Sequence, residues 1–148
     1  MKCLSVRQPW AAWILLGAKD VENRTWSTRH RGPLLIHAGG MKDPWVTGHL
    51  LDLPREARRP AQLMSEYLRV KDPMGFMVAH ARSAILGQVE LVDCRCGCAS
   101  PWYEAGAIGW VLAEPVIFSE PIPYRGRLGL MNVPDELLRE HGHEVPLD

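Results

Sequence analysis

Apolar and polar positions alternate from the start of the chain, and Lys2–Val6 has the period of two of a short strand. The period then changes. Trp10, Trp13, Ile14 and Gly17 recur at i, i+3, i+4 and i+7, one face of a helix. Gln8-Pro9-Trp10 opens that helix, with Pro9 near its first position, where a missing N–H costs nothing, and Gly17 is a natural C-terminal stop. Asp20–Trp26 returns to period two, with Glu22, Arg24 and Trp26 on one face and Val21, Asn23 and Thr25 on the other. Arg31-Gly32-Pro33 reads as a turn, and Leu34–Ala38 as an apolar strand closed by Gly39-Gly40.

Residues 41–83 change character. Val46, Leu50 and Leu53 fit one short amphipathic helix, and Ala57, Ala61, Met64 and Leu68 fit a second, with Pro60 a break or kink. This predicts a helical insertion packed on a sheet. Strand alternation resumes at Ala84–Asp93, where Gly87 suggests a bend or bulge. Ala107–Ala113, Val116–Ser119 and Leu128–Val133 predict further short strands, punctuated by Pro115, Pro121, Pro123 and Gly126. Pro134–His141 predicts a last helix with Asp135 and Glu136 in its first turn, where negative charge is favoured. Several short strands with few helices predict an α+β, mainly β chain: one compact β-barrel domain over residues 1–148, with its helical insertion at about 41–83.

Composition narrows the function classes. At 148 residues, 47% hydrophobic and 23% charged, the chain suits one globular domain and not disorder. No apolar run approaches the ~18 residues that span a membrane. Met1-Lys2-Cys3-Leu4-Ser5 has no signal-peptide core, so a cytoplasmic, membrane-free protein is expected. The formal net charge of zero hides an asymmetry, about +6 over residues 1–71 and −6 over 72–148. Arginine outnumbers lysine 13 to 4, and six tryptophans accompany it, which hints at a flat-faced anionic ligand. Cys94-Arg95-Cys96-Gly97-Cys98 spaces its thiols by one residue, where zinc knuckles use two, so reduced structural thiols are expected and no metal. No Walker-type phosphate loop or dinucleotide fingerprint is present, and no cofactor is required.

The first third carries a more specific pattern. Leu4-Ser5-Val6-Arg7-Gln8-Pro9-Trp10-Ala11 precedes Gly17-Ala18-Lys19-Asp20-Val21-Glu22-Asn23-Arg24-Thr25-Trp26, and His30-Arg31-Gly32-Pro33-Leu34-Leu35-Ile36-His37-Ala38 follows. This resembles the ASCH family, the activating-signal-cointegrator homology domains, whose G-x-K-x-x-E-x-R hallmark is matched at Gly17, Lys19, Glu22 and Arg24. The likeness is strong over residues 4–38 and weaker at Ile85–Cys94 and Gly109–Pro123. It implies a PUA-like small β-barrel with an N-terminal helix flanking a ligand cleft. It also implies RNA or other nucleic acid as the partner. One branch of the family hydrolyses N4-acetylcytidine, and ribonuclease activity has been ascribed to another.

Each candidate residue has a chemical reason. Lys19 follows the helix stop and can hold a phosphate or serve as a base. Glu22 and Arg24 share a strand face. They form either an ordinary exposed ion pair, worth about 0–1 kcal/mol, or a pair that orients Lys19 and meets a base edge or phosphate. Arg7, Gln8 and Trp10 open the helix. Gln8 can both donate and accept, and Trp10 could stack on a base or belong to the core with Trp13. Trp26, Arg29, His30 and Arg31 make a basic-aromatic patch suited to tracking phosphates. His37 and Trp110 read as structural.

Binding of RNA or single-stranded nucleic acid therefore ranks first, through Arg7, Gln8, Trp10, Lys19, Glu22, Arg24, Trp26 and Arg31. An amidohydrolase acting on an N4-acylated cytidine or related modified nucleoside ranks second, with Lys19 and Glu22 catalytic. The acetylcytidine-hydrolysing branch has threonine where Glu22 stands here, so that position offers no nucleophile. Ribonuclease activity ranks third, because no spacing pairs His30, His37 or His80.

Overall fold

The computed structural model describes residues 1–42, 78 and 80–146. The helices expected around Val46–Leu53 and Ala57–Leu68 lie outside the described residues. The described elements are β1 (Lys2–Gln8), α1 (Trp10–Leu15), β2 (Val21–Arg24), β3 (Gly32–Lys42), β4 (Ala84–Arg95), β5 (Ile108–Pro123), β6 (Leu130–Asn132) and α2 (Asp135–Glu140). They form a mostly β, six-stranded sheet in the order β2-β5-β4-β3-β1-β6. All pairs are antiparallel except β1 with β3. Among the described residues no helix is long and apolar enough to cross a membrane.

Strand alternation gives the sheet two buried faces. Leu4, Val6, Leu34, Ile36 and Ala38 join α1, Trp102 and Trp110 in one core. The intervening Cys3 and Leu35 join Ile85, Phe118, Ile122, Met131 and Leu138 in a second. β3 is thus covered on both sides, which explains its unbroken apolar run. On β4, Leu86 and Val89 share the first core although they are three residues apart. The β3–β4 register shifts between Ile36 and His37, leaving Leu86 as the extra residue that reverses the side-chain phase.

Several boundaries differ from the sequence expectation. Gly32 and Pro33 already belong to β3, which runs on through Gly39-Gly40 to Lys42. Pro9 caps α1 from outside rather than sitting within it. The two strands expected at Ala107–Ala113 and Val116–Ser119 are one 16-residue strand. Its prolines are tolerated because the β4–β5 register shifts repeatedly, and Glu114 takes a left-handed φ of 48° beside Pro115.

The sheet is strongly curled. At about 4.8 Å per strand, a flat sheet would hold β2 and β1 roughly 19 Å apart. Yet the Arg24 guanidinium on β2 donates a 2.7 Å hydrogen bond to the Ser5 carbonyl on β1. β6 pairs with β1 only as far as Leu4, so Arg24 reaches the strand where that partner ends.

The bend depends on Gly87. A Cβ there would lie 2.2 Å from the Val116 carbonyl oxygen and 2.9 Å from Leu15 Cδ2. Gly87→Ala is expected to cost at least about 2 kcal/mol, because backbone and not a flexible side chain must move. Urea unfolding would measure it, and a cost near zero would contradict this packing.

Candidate functional site

The end of α1 places the lysine. Gly17 has φ +81°, a conformation that glycine adopts without penalty. Its N–H donates to the Ile14 carbonyl, and those of Ala18 and Lys19 donate to the Trp13 carbonyl at 2.9 and 3.1 Å. The chain reverses, and the Lys19 side chain is only 5% exposed. Its ammonium donates to the Val21 carbonyl and, at 2.7 Å, to Glu22 Oε2. It lies 6.0 Å from the Trp10 ring centre and 5.9 Å from that of Trp102, within cation–π range.

Glu22 also faces Arg24. Its Oε1 is 3.4 Å from Arg24 Nε, and the two side chains are 13% and 23% exposed. The exposed pair allowed by the sequence is therefore a largely buried chain of three charges, Lys19–Glu22–Arg24. Strand alternation puts Glu22 and Arg24 on the same side of β2, and sheet curvature encloses them. Arg24 Nε is buried and has no hydrogen-bond partner among the described residues. Glu22 Oε1 is near enough to attract it but is not aligned to accept from it.

Three indoles wall the site. Trp10 and Trp13 meet edge to face at 5.1 Å, and Trp102 completes the cluster at 6.0 and 5.6 Å. Trp13 and Trp102 are buried, while Trp10 is half-buried. Trp102 Nε1 donates to the Ala18 carbonyl at 2.8 Å. Asn23 Nδ2 donates to the Trp102 carbonyl, and the Glu104 N–H donates to Asn23 Oδ1, so β2 holds this turn from below. From the sequence alone, Trp102 is assigned no role. Only its tryptophan identity could have flagged it, because its approach to Lys19 is long-range.

The other candidates separate. Gln8 is fully buried, and its amide is occupied by backbone: Nε2 donates to the Val78 and Ala81 carbonyls, and Oε1 accepts from the Ala12 N–H. Its position supports a role in tying α1 to the segment before β4 rather than in reading a base. Arg7 is exposed and, by alternation, lies on the opposite face of β1 from Gln8. Trp26 packs edge to face on buried Trp110 at 4.8 Å. Arg31 donates to Asp93 at 2.9 Å and to the Thr28 and His30 carbonyls. The Cys94 N–H and then Arg31 hold the Asp93 carboxyl below its usual range. His37 is buried between Ser5 Oγ at 2.9 Å and the Tyr124 carbonyl at 2.8 Å, and burial lowers its pKa from the ordinary 6.5. All four cysteines are free, and among the described residues no three His, Cys, Asp or Glu side chains converge as a metal site.

Comparison with known proteins gives the same pattern a family context. The sequence profile of the ASCH domain matches residues 4–119. Activating signal cointegrator 1 of Homo sapiens is 39% identical over 94 residues, covering 62% of this chain and 14% of that protein. The Mus musculus protein of the same name is 38% identical over 94 residues, with the same coverage. The chain thus spans a small part of the length of these relatives.

Removing one partner of the buried pair should leave an uncompensated charge. Glu22→Gln is expected to destabilise the fold by about 3 kcal/mol, and Lys19→Met combined with Glu22→Gln by distinctly less. Urea unfolding of the two variants would read the difference; equal costs would contradict the coupling. A second expectation concerns pH. A histidine whose folded pKa is lowered contributes stability that is complete above about 6.5 and is lost as pH falls through the folded value. His143, stacked on Phe118 at 3.7 Å and also lowered by burial, acts in the same direction. The denaturation midpoint should fall between pH 7 and 5, and much less so in His37→Gln with His143→Gln.

Proposed function

The chain belongs to the ASCH domain family, and on that premise we propose that the cluster of Trp10, Lys19, Glu22, Arg24 and Trp102 receives a nucleobase of RNA or of another single-stranded nucleic acid. The observation that carries this reading is the incomplete pairing of Arg24 Nε with Glu22 Oε1. A buried donor left without an acceptor often marks a place where a ligand completes the bonding. A nucleobase edge presents a donor and an acceptor side by side. The donor suits the carboxylate oxygen and the acceptor suits the guanidinium N–H. Trp10, half-buried, offers a ring face or edge to the base. Arg7 is exposed and without an ion pair or hydrogen bond among the described residues, so it is free to meet phosphate. Trp26 and Arg31 serve as a flanking surface, with Arg31 held in place by Asp93. The Arg24–Ser5 bridge supports a PUA-like barrel as the frame of the cleft. Free thiols suit a reducing, cytoplasmic setting.

Hydrolysis of an acylated nucleoside stands second. The 2.7 Å Lys19–Glu22 contact could orient a lysine for proton transfer. Among the described residues, however, no hydroxyl or thiol hydrogen-bonds to either side chain, and Thr25 lies in the bend just past the end of β2.

Fluorescence anisotropy with short labelled RNA and DNA single strands tests the first reading. Wild type should bind with affinity that falls steeply as salt rises. Trp10→Ala, checked for folding by circular dichroism, should weaken binding about tenfold, the loss of roughly 1.4 kcal/mol of stacking. No binding of either strand at low salt would remove this function, and acetate release from N4-acetylcytidine, lost in Lys19→Ala, would put hydrolysis first.

A further inference from the structure

A second groove lies on the other side of the sheet from the lysine cluster. It runs between the later part of β3, the start of β4 and the segment that follows β5, with a volume of about 730 Å³. Arg125 and Arg127 line it, together with Ser83, Tyr124 and Leu128, and His37 forms part of its floor. Among the described residues no carboxylate lines it. Both arginines are exposed, and neither has an ion pair or hydrogen bond among the described residues. Two unpaired guanidinium groups one residue apart, with no acid between them, make a local positive field that an anion would relieve.

The segment bearing these arginines is anchored. The Tyr124 N–H donates to the Ser83 carbonyl at 3.0 Å. The Tyr124 carbonyl accepts from His37 Nε2 at 2.8 Å, which leaves Nδ1 to accept from the Ser5 hydroxyl at 2.9 Å. Gly126, between the arginines, packs directly onto this pair. A Cβ there would lie 2.7 Å from His37 Cε1 and 3.2 Å from Ser5 Oγ. The close approach ties the backbone to the buried histidine and leaves both arginine side chains on the outside. Leu128 is fully exposed at the rim and offers apolar surface beside the charge.

We propose that this groove is a phosphate-binding site for a nucleotide unit, with Arg125 and Arg127 clamping the phosphate and Leu128 lying against the sugar or base. The choice of phosphate as the anion rests on the nucleic-acid reading above. The two arginines lie beyond residue 119, where the family match ends, while His37 and Ser83 lie within it. A planar guanidinium fork matches two phosphate oxygens, and two forks one residue apart can hold one phosphate from two sides. The phosphate is either a terminal monoester or a bridging diester of a strand.

Nuclear magnetic resonance titration with three probes tests this: uridine, uridine 5′-monophosphate, and the dinucleotide UpU without terminal phosphate. The amide signals of Ser83 and Gly126 and the His37 ring should shift with a phosphate-bearing probe and not with uridine. A response to the monophosphate alone assigns a terminal phosphate, and a response to UpU assigns a bridging one. Arg125→Ala with Arg127→Ala, both on exposed side chains, should abolish the shifts. The same double variant should lower the salt slope of single-strand binding by about 1.4, the release of two counterions. Shifts confined to Trp10 and Lys19, shifts undiminished in the double variant, or no shift at these positions would each overturn the groove. So would a response there to an acidic peptide with none to phosphate. Groove shifts that persist while Trp10→Ala leaves strand binding unchanged would uphold this site and remove the base-binding cluster instead.

Discussion

One carboxylate ties three parts of the fold together. Glu22 accepts from Lys19, which closes the chain reversal after α1, and it faces Arg24, which crosses to the Ser5 carbonyl on β1. The helix end, the edge strand and the strand farther round the sheet therefore share one line of buried charge. Such a line is costly to form, since each charge leaves water. It persists when every member has a partner, and breaking one member strands the others. That coupling makes the curvature of the sheet and the shape of the cluster two aspects of the same arrangement.

The curvature has a second, steric origin. Gly87 lets β4 pass against the Val116 carbonyl and Leu15 with no side chain between them. The adjacent register shift turns β4 so that Leu86 and Val89 serve the same core. Backbone proximity here and charge pairing at Glu22 act at different points of the sheet. The indoles of Trp10, Trp13 and Trp102 then fill the space between α1 and the turn before β5. Two of them, Trp10 and Trp102, set their rings against the Lys19 ammonium where water would otherwise solvate it.

The two faces of the sheet carry different chemistry. On the α1 side, charges are enclosed, paired and flanked by aromatic rings, an arrangement suited to a flat polar edge. On the opposite side, His37 is buried, with its pKa lowered by desolvation, and exposed arginines line the groove above it. The first arrangement falls within the stretch shared with the ASCH domain, and the second depends on residues after that stretch.

Much of this was legible in the residues themselves. Period-two alternation marks β1, β2 and β4. The Trp10–Gly17 spacing marks α1 and its stop, because local side-chain direction depends only on backbone period. The Gly17, Lys19, Glu22 and Arg24 spacing marks the cluster, and the bulge at Gly87 follows from a glycine inside a strand. Other features depend on partners far along the chain. Whether β5 is one strand or two depends on bulges that β4 accepts, since prolines alone suggested breaks. Gln8 was indistinguishable from a base reader until the Val78 and Ala81 carbonyls closed on its amide. Trp102 joins Lys19 only because a turn some 80 residues later packs on α1, and Arg24 is buried only because the sheet curls. The sequence by itself determined β1, α1, β2 and β4 and the family of the chain. Tertiary structure alone decided which charges are buried, which arginines stay free and which aromatic faces meet the lysine, because each is a long-range contact that no local period encodes.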